Sequence, residues 1–289
     1  MASAFETAWT CFEVTLQDRV AHIRLNRPEA FNSMNRAFWN ELPAIVDDIS
    51  DNARARVIVI SSTGRHFTAG MDLQNFAGVG GGGGGTGEGP RRPDIAGEAS
   101  RAHLESLQDA FSCLDRARMP VIAAIQGGCV GGGVDLTAAC DIRYASAEAF
   151  FCIQEINIGM TADAGTFPRL CRLIPQGWVR ELAYTGRRLP AEAAREIGLV
   201  NAVLPDPEAV VAHALAVARE IAAKSPLAVA GSKVMINYAR EHDTETALDY
   251  LRVWQAGMFP AADMAETFKA RQEGREPDFP DLRPVHRGM

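Results

Sequence analysis

Apolar residues recur along this chain with two different periods, and the switching between them predicts a layered α/β fold. Phe12–Leu16 and Val20–Leu25 alternate apolar and polar around Gln17-Asp18-Arg19, the pattern of a hairpin with one buried face. The chain turns at Asn26-Arg27-Pro28. Phe38, Leu42, Ile45, Val46 and Ile49 then follow at helical spacing, with Pro43 expected to bend or shorten that helix. Val57-Ile58-Val59-Ile60 is a continuous apolar run, as a strand covered on both faces requires.

The next segment breaks the pattern. Gly78–Gly97 holds six consecutive glycines at 80–85 and then a Gly/Pro/Arg stretch, a composition that cannot repay its ordering entropy and predicts a flexible loop over 78–97. Leu104, Leu107, Phe111 and Leu114 mark a helix that ends before Pro120, and Val121–Ile125 reads as a second buried strand. Shorter strands are expected at Ile142–Tyr144 and Phe150–Ile153. From about Pro190 the chain is mostly helical, broken at Pro205, Pro207, Pro226 and Pro260. We therefore expect an α/β core over residues 1–200 and an α-helical carboxy-terminal region over 201–289.

Composition narrows the function. The 289 residues are 47% hydrophobic and 22% charged, as in an ordinary globular protein, and the formal net charge of -7 offers no basic field for a nucleic acid. No apolar run is long enough to span a membrane, and Glu6 and Glu13 stand where a targeting peptide would carry basic residues, so a cytoplasmic protein is expected. Cys11, Cys113, Cys129, Cys140, Cys152 and Cys171 form no CxxC pair and the six histidines no HExxH, so we expect reduced thiols and no metal.

Two strand-to-loop junctions carry the candidate chemistry. After Val121–Ile125 the chain runs through Gln126-Gly-Gly-Cys-Val-Gly-Gly-Gly-Val-Asp135, a buried strand entering a small-residue helix and aiming N–H groups at whatever lies above it. GxGxxG is absent and no GK[ST] follows, which disfavours a dinucleotide or phosphate loop. After Val57–Ile60 comes Gly64-Arg-His-Phe-Thr-Ala-Gly-Met71-Asp-Leu73, which could supply a second backbone donor; two such donors form an oxyanion hole.

These segments, with PVIAAIQGGCVGGGVDL, CDIRYA and FFCIQEINIGMTADAGTFPRL, resemble the crotonase (enoyl-CoA hydratase/isomerase) superfamily over nearly the whole chain. The resemblance implies a spiral of ββα units with a carboxy-terminal α-helical trimerisation region, a homotrimer or a hexamer, an acyl-CoA thioester substrate, and no cofactor beyond that CoA. It also implies that the N–H groups of Met71 and Gly132 grip the thioester oxygen, while Ala69, Gly70, Met71, Asp72 and Leu73 line the CoA arm.

Three carboxylates suggest which member this is. Hydratases of the family place glutamates at the positions of Asp135 and Glu155 and a glycine where this chain has Asp163. The set Asp135, Glu155, Asp163 is instead similar to that of Δ3,5-Δ2,4-dienoyl-CoA isomerases of fatty acid β-oxidation, although the tail Glu266-Thr-Phe-Lys-Ala-Arg is more hydratase-like. Glu155 is expected to take a proton from C2 and Asp163, neutral in an apolar pocket, to return one to C6, with Asp135 orienting Glu155. The alternatives are an enoyl-CoA hydratase and a non-catalytic acyl-CoA-binding scaffold. Asp141 and Arg143 read as a structural ion pair; Arg65, His66, Lys233 and Lys269 are candidates for CoA phosphates.

Overall fold

Strands β1 (Phe12–Gln17) and β2 (Val20–Leu25) pair antiparallel through a turn in which Asp18 and Arg19 both have positive φ, the twist-matched geometry of a two-residue hairpin. This is a computed structural model, and it describes residues 3–76 and 93–285. The hairpin is the edge of a six-stranded sheet in the order β1-β2-β3-β4-β6-β9, where β3 is Val57–Ser62, β4 Val121–Ile125, β6 Ile142–Ser146 and β9 Ala202–Leu204; all pairs beyond the hairpin are parallel.

Beside it lies a smaller sheet of β5 (Gly128–Val130), β7 (Phe150–Cys152) and β8 (Leu189–Pro190), in the order β5-β7-β8. The chain alternates between the two layers: β4 to β5 and on into helix α3 (Gly132–Ala138), then β6 to β7 and on towards α4 (Thr166–Leu173). Each turn of this spiral is a ββα unit.

Helix α1 (Arg36–Asp51) starts on an Asn35 cap and presses Phe38, Leu42, Ile45, Val46 and Ile49 into the core. Pro43 lies inside it without shortening it, because the buried stripe outweighs one lost backbone bond. Helix α2 spans Pro93–Arg116, so it starts within the stretch expected to be loop; residues 78–92 of that stretch lie outside the described residues. Proline at the first helical position forfeits nothing, since that N–H has no intrahelical acceptor.

Helices α5 (Gln176–Thr185) and α6 (Ala191–Glu196) lead to β9 and α7 (Pro207–Ala222). The continuous apolar run of β3 is explained by burial on both faces. Ile58 and Ile60 join the main core, while Val57 and Val59 meet Val210, Ala214 and Ala218 of α7. The expected boundary near residue 200 therefore falls inside the α/β layer, and the helices beyond it are α8 (Pro226–Glu241), α9 (Thr244–Gly257) and α10 (Ala261–Glu273).

A buried lysine ties α8 to the core. Lys233 donates to the carbonyls of Leu114 and Met119 and to Asp141 Oδ2, at 2.8, 3.1 and 2.8 Å. All three ammonium protons are used, so Lys233 does not reach for a CoA phosphate. Asp141 pairs with it instead of with Arg143, whose guanidinium caps the carbonyls of Leu199, Thr137 and Cys140. Lys233→Met is expected to cost about 2 kcal/mol of stability, read by urea unfolding, because three acceptors lose their donor together.

Candidate active site

The pairing register brings the two glycine-rich junctions side by side. Thr68 is bridged in parallel to Cys129, with Thr68 N donating to Gly128 O and Val130 N to Thr68 O. Beyond that bridge a Cβ on Gly70 would lie 3.5 Å from Gly132 N, so the segment entering Met71 runs beside the start of α3. On its other side Met71 is bridged to Met34, which bonds to both of its neighbours: Met34 N to Gly70 O at 2.8 Å and Asp72 N to Met34 O at 3.1 Å. In a parallel bridge this turns the N–H of Met71 away from Met34 and towards the 129–132 side. Gly132 is the first residue of α3, where N–H groups lack intrahelical acceptors. Two amide donors thus approach one space.

Glycine is required where the strands meet. Gly131, at φ 52 and ψ -118, enters α3 with its N–H on Cys152 O, and a Cβ there would lie 3.1 Å from Glu155 Oε1. Gly70, at φ +84, would place a Cβ 2.7 Å from Val130 O and 3.5 Å from Gly132 N. Side chains at these positions would press on Glu155 and on the Val130 carbonyl, forcing the two segments apart.

The rest of 69–73 is braced rather than open. Ala69 is exposed and donates its N–H to Phe31 O, while Asp72 accepts from Ser33 Oγ and Gln74 N near Arg27. The Gln74 N–H, foremost, and the Ser33 hydroxyl hold the Asp72 carboxyl below the usual range, so it is a turn anchor. Leu73 opens a short 3-10 turn. His66 accepts from Gly128 N at Nδ1, 2.9 Å away, and burial followed by Arg65 and Arg188 lowers its pKa; a neutral ring braces β5 here.

Three carboxylates lie close enough to act on one another. Asp135, on α3 and 1% exposed, accepts from the Thr166 hydroxyl at 2.6 Å. Burial pushes its pKa up to about 6, against the pull of the Thr166 hydroxyl and N–H and of Arg169. Glu155 opens the 3-10 turn after β7; the residue is half-buried, but its Oε2 is buried and has no partner among the described residues. Burial, foremost, and the charges of Asp135 and Asp163 push it up to about 7.

Asp163 precedes α4, and its carbonyl accepts from Gln108 Nε2 of α2. Its charge acts on both other carboxylates, so the structure brings the three together. The apolar enclosure expected for Asp163 is absent: the residue is exposed, because α2 reaches its backbone and leaves the side chain uncovered. It lies at one edge of a groove of about 940 Å³ that also touches Gln108, Arg169, Lys233, Tyr238 and Trp254, and whose lining does not include Glu155, Met71 or Gly132. Thr166 and Arg169 were not singled out from sequence; the signal available was a hydroxyl residue directly after a glycine and three positions after Asp163.

The described residues contain no cluster of His, Cys, Asp and Glu suited to a metal, and the cysteines are unpaired, all but Cys171 buried. No described helix is long and apolar enough to cross a membrane.

Residues 15–282 match the family model described as enoyl-CoA hydratase/isomerase. A mitochondrial Δ3,5-Δ2,4-dienoyl-CoA isomerase of Mus musculus is 41% identical, over 90% of this chain and 78% of that protein. A peroxisomal Δ3,5-Δ2,4-dienoyl-CoA isomerase of Arabidopsis thaliana is 36% identical over 91% and 93%. Among solved structures, an enoyl-CoA hydratase from Bacillus anthracis superposes with a TM-score of 0.82 at 32% identity, over 93% of this chain and 99% of that one.

Proposed function

The chain belongs to the enoyl-CoA hydratase/isomerase family of enzymes, and from that premise we propose that it is a Δ3,5-Δ2,4-dienoyl-CoA isomerase acting in fatty acid β-oxidation. The thioester oxygen lies between the Met71 and Gly132 N–H groups, which stabilise the negative charge that develops when a C2 proton leaves. Glu155 takes that proton. The resulting dienolate spreads its charge to C6, where Asp163 delivers a proton, giving the 2,4-diene with C2 one hydrogen poorer and C6 one richer. Asp135 keeps Glu155 basic by its charge.

The observation that carries this reading is the buried, unpartnered Oε2 of Glu155, a carboxylate whose other oxygen lies against Gly131 at the entry to α3, with the charges of Asp135 and Asp163 acting on it. Asp163 is exposed and not enclosed in an apolar pocket, which suits it to refilling from solvent after each turnover. Hydration is disfavoured because position 135 carries an aspartate, one methylene shorter than the glutamate of the hydratase pattern, and position 163 an acid where that pattern has glycine. The reaction uses no cofactor beyond the CoA of the substrate. Assembly into a homotrimer or hexamer is supported by apolar side chains left open on the last helices, Ile236 at 67%, Val253 at 69% and Phe268 at 59% exposure. The two relatives carry organellar names, mitochondrial and peroxisomal, which lend no support to the cytoplasmic expectation.

Purified protein offered 3,5-dienoyl-CoA should produce the conjugated 2,4-dienoyl thioester, seen as rising ultraviolet absorbance, and should leave crotonyl-CoA unchanged. Turnover of crotonyl-CoA alone would assign a hydratase. Inertness towards both, with CoA thioesters still bound, would assign a scaffold.

A further inference from the structure

We propose that Thr166 is a positioning residue for the reaction, its hydroxyl fixing the buried Asp135 side chain as a carboxylate whose charge acts on Glu155; the proposal rests on the isomerase reading above. Both residues are buried, Thr166 completely, and the 2.6 Å bond runs from the Thr166 hydroxyl to Asp135 Oδ1. Thr166 is the first residue of α4, so its backbone N–H also faces the carboxylate, as a helix start favours. Arg169, one turn on, is fixed by Asp115 and Ser112 and adds a positive charge on the same side. The fixed donors all come from α4.

A hydrogen bond given to the ionised form of a buried acid favours that form. The groups around Asp135 otherwise oppose ionisation: Asp163 before α4, Glu155 after β7, and the buried Cys129 of β5, whose thiol feels the Asp135 charge. Without the hydroxyl, Asp135 takes up a proton at higher pH. Its charge no longer sustains the basicity of Glu155, and the pair's first protonation, which belongs to both acids jointly, moves upward.

Thr166→Val removes the hydroxyl at nearly constant volume, and Thr166→Ser keeps it. In the full chain, T166V should lower kcat on 3,5-dienoyl-CoA about tenfold, leave KM within about twofold, and move the acid limb of the kcat/KM profile up by roughly half to one pH unit. T166S should restore both rate and limb. If valine is not accepted at the helix start, Thr166→Ala removes the same hydroxyl and carries the same expectation. Equal losses in T166V and T166S with an unmoved limb would overturn the proposal, as would a T166V enzyme indistinguishable from wild type. A carboxyl-stretch infrared titration of the resting protein needs no turnover: Asp135 should protonate at higher pH in T166V than in T166S, and an unchanged titration counts against the proposal even if the wild-type protein proves inert towards dienoyl-CoA. That inertness by itself would sink the isomerase reading only.

Discussion

Glu155→Gln is expected to lower kcat on 3,5-dienoyl-CoA by roughly 10²–10⁴-fold, the range for removing a positioned general base. An amide of nearly the same shape cannot accept the C2 proton, so exchange of that hydrogen with deuterated water should cease along with isomerisation. Asp163→Asn should behave differently. The C2 proton still leaves to Glu155, so exchange at C2 continues while 2,4-diene formation falls. Loss of both activities in D163N would remove the assignment of separate ends to the two acids.

The same substitution at Glu155 has a second expected consequence, in stability. Its pKa is raised in the folded protein to about 7, so between the ordinary glutamate range and about pH 7 the folded chain binds more protons than the unfolded one. Stability therefore falls as pH rises through that window, and Asp135, raised to about 6, adds to the decline over its lower part. E155Q removes the larger share. At pH 8 the variant should be more stable than wild type by about 1–2 kcal/mol, after discounting for the partial exposure of Glu155, and should lose that advantage near pH 4. A catalytically dead but stabilised variant is the signature of a base held in an unfavourable place for its chemistry.

Much of this arrangement was legible in residue order, and the parts that were not have identifiable causes. The run Val57–Ile60 announced a strand buried on both faces because neither face could afford a polar side chain, and α7 supplies the second cover. The start of α2 was hidden because Pro93 and Gly97 read as loop next to the glycine tract, although proline at the first helical position is itself a start signal. The two glycine junctions could be recognised singly, but the register Thr68 to Cys129 that sets Met71 beside Gly132 is a long-range pairing with no local trace. Asp163 shows the limit most clearly. An apolar enclosure was expected from its role as a proton donor, yet the residue is exposed between the buried Ala162 and Ala164, because local composition does not decide which way a loop residue turns.

Gly70→Ala should be nearly as damaging as loss of the base, for a different reason. At φ +84 an alanine is strained by about 1–3 kcal/mol, and its methyl would meet the backbone carbonyl of Val130 at 2.7 Å, a partner that cannot rotate away. Relief requires the 69–72 segment to withdraw from 129–132, which parts the Met71 and Gly132 N–H groups. Losing one oxyanion donor costs roughly 10²–10³ in rate, so kcat should fall by that factor while the acid limb of the pH profile, set by Glu155 and Asp135, stays in place. Gly177→Ala is the matched control: it lies in α5 with nothing within 4 Å of the added carbon, and alanine there should leave activity unchanged and raise the melting temperature slightly. A G70A enzyme that is destabilised yet turns over at the wild-type rate would show that the enolate is not held between these two amides, since the strain would then have been absorbed without touching the chemistry.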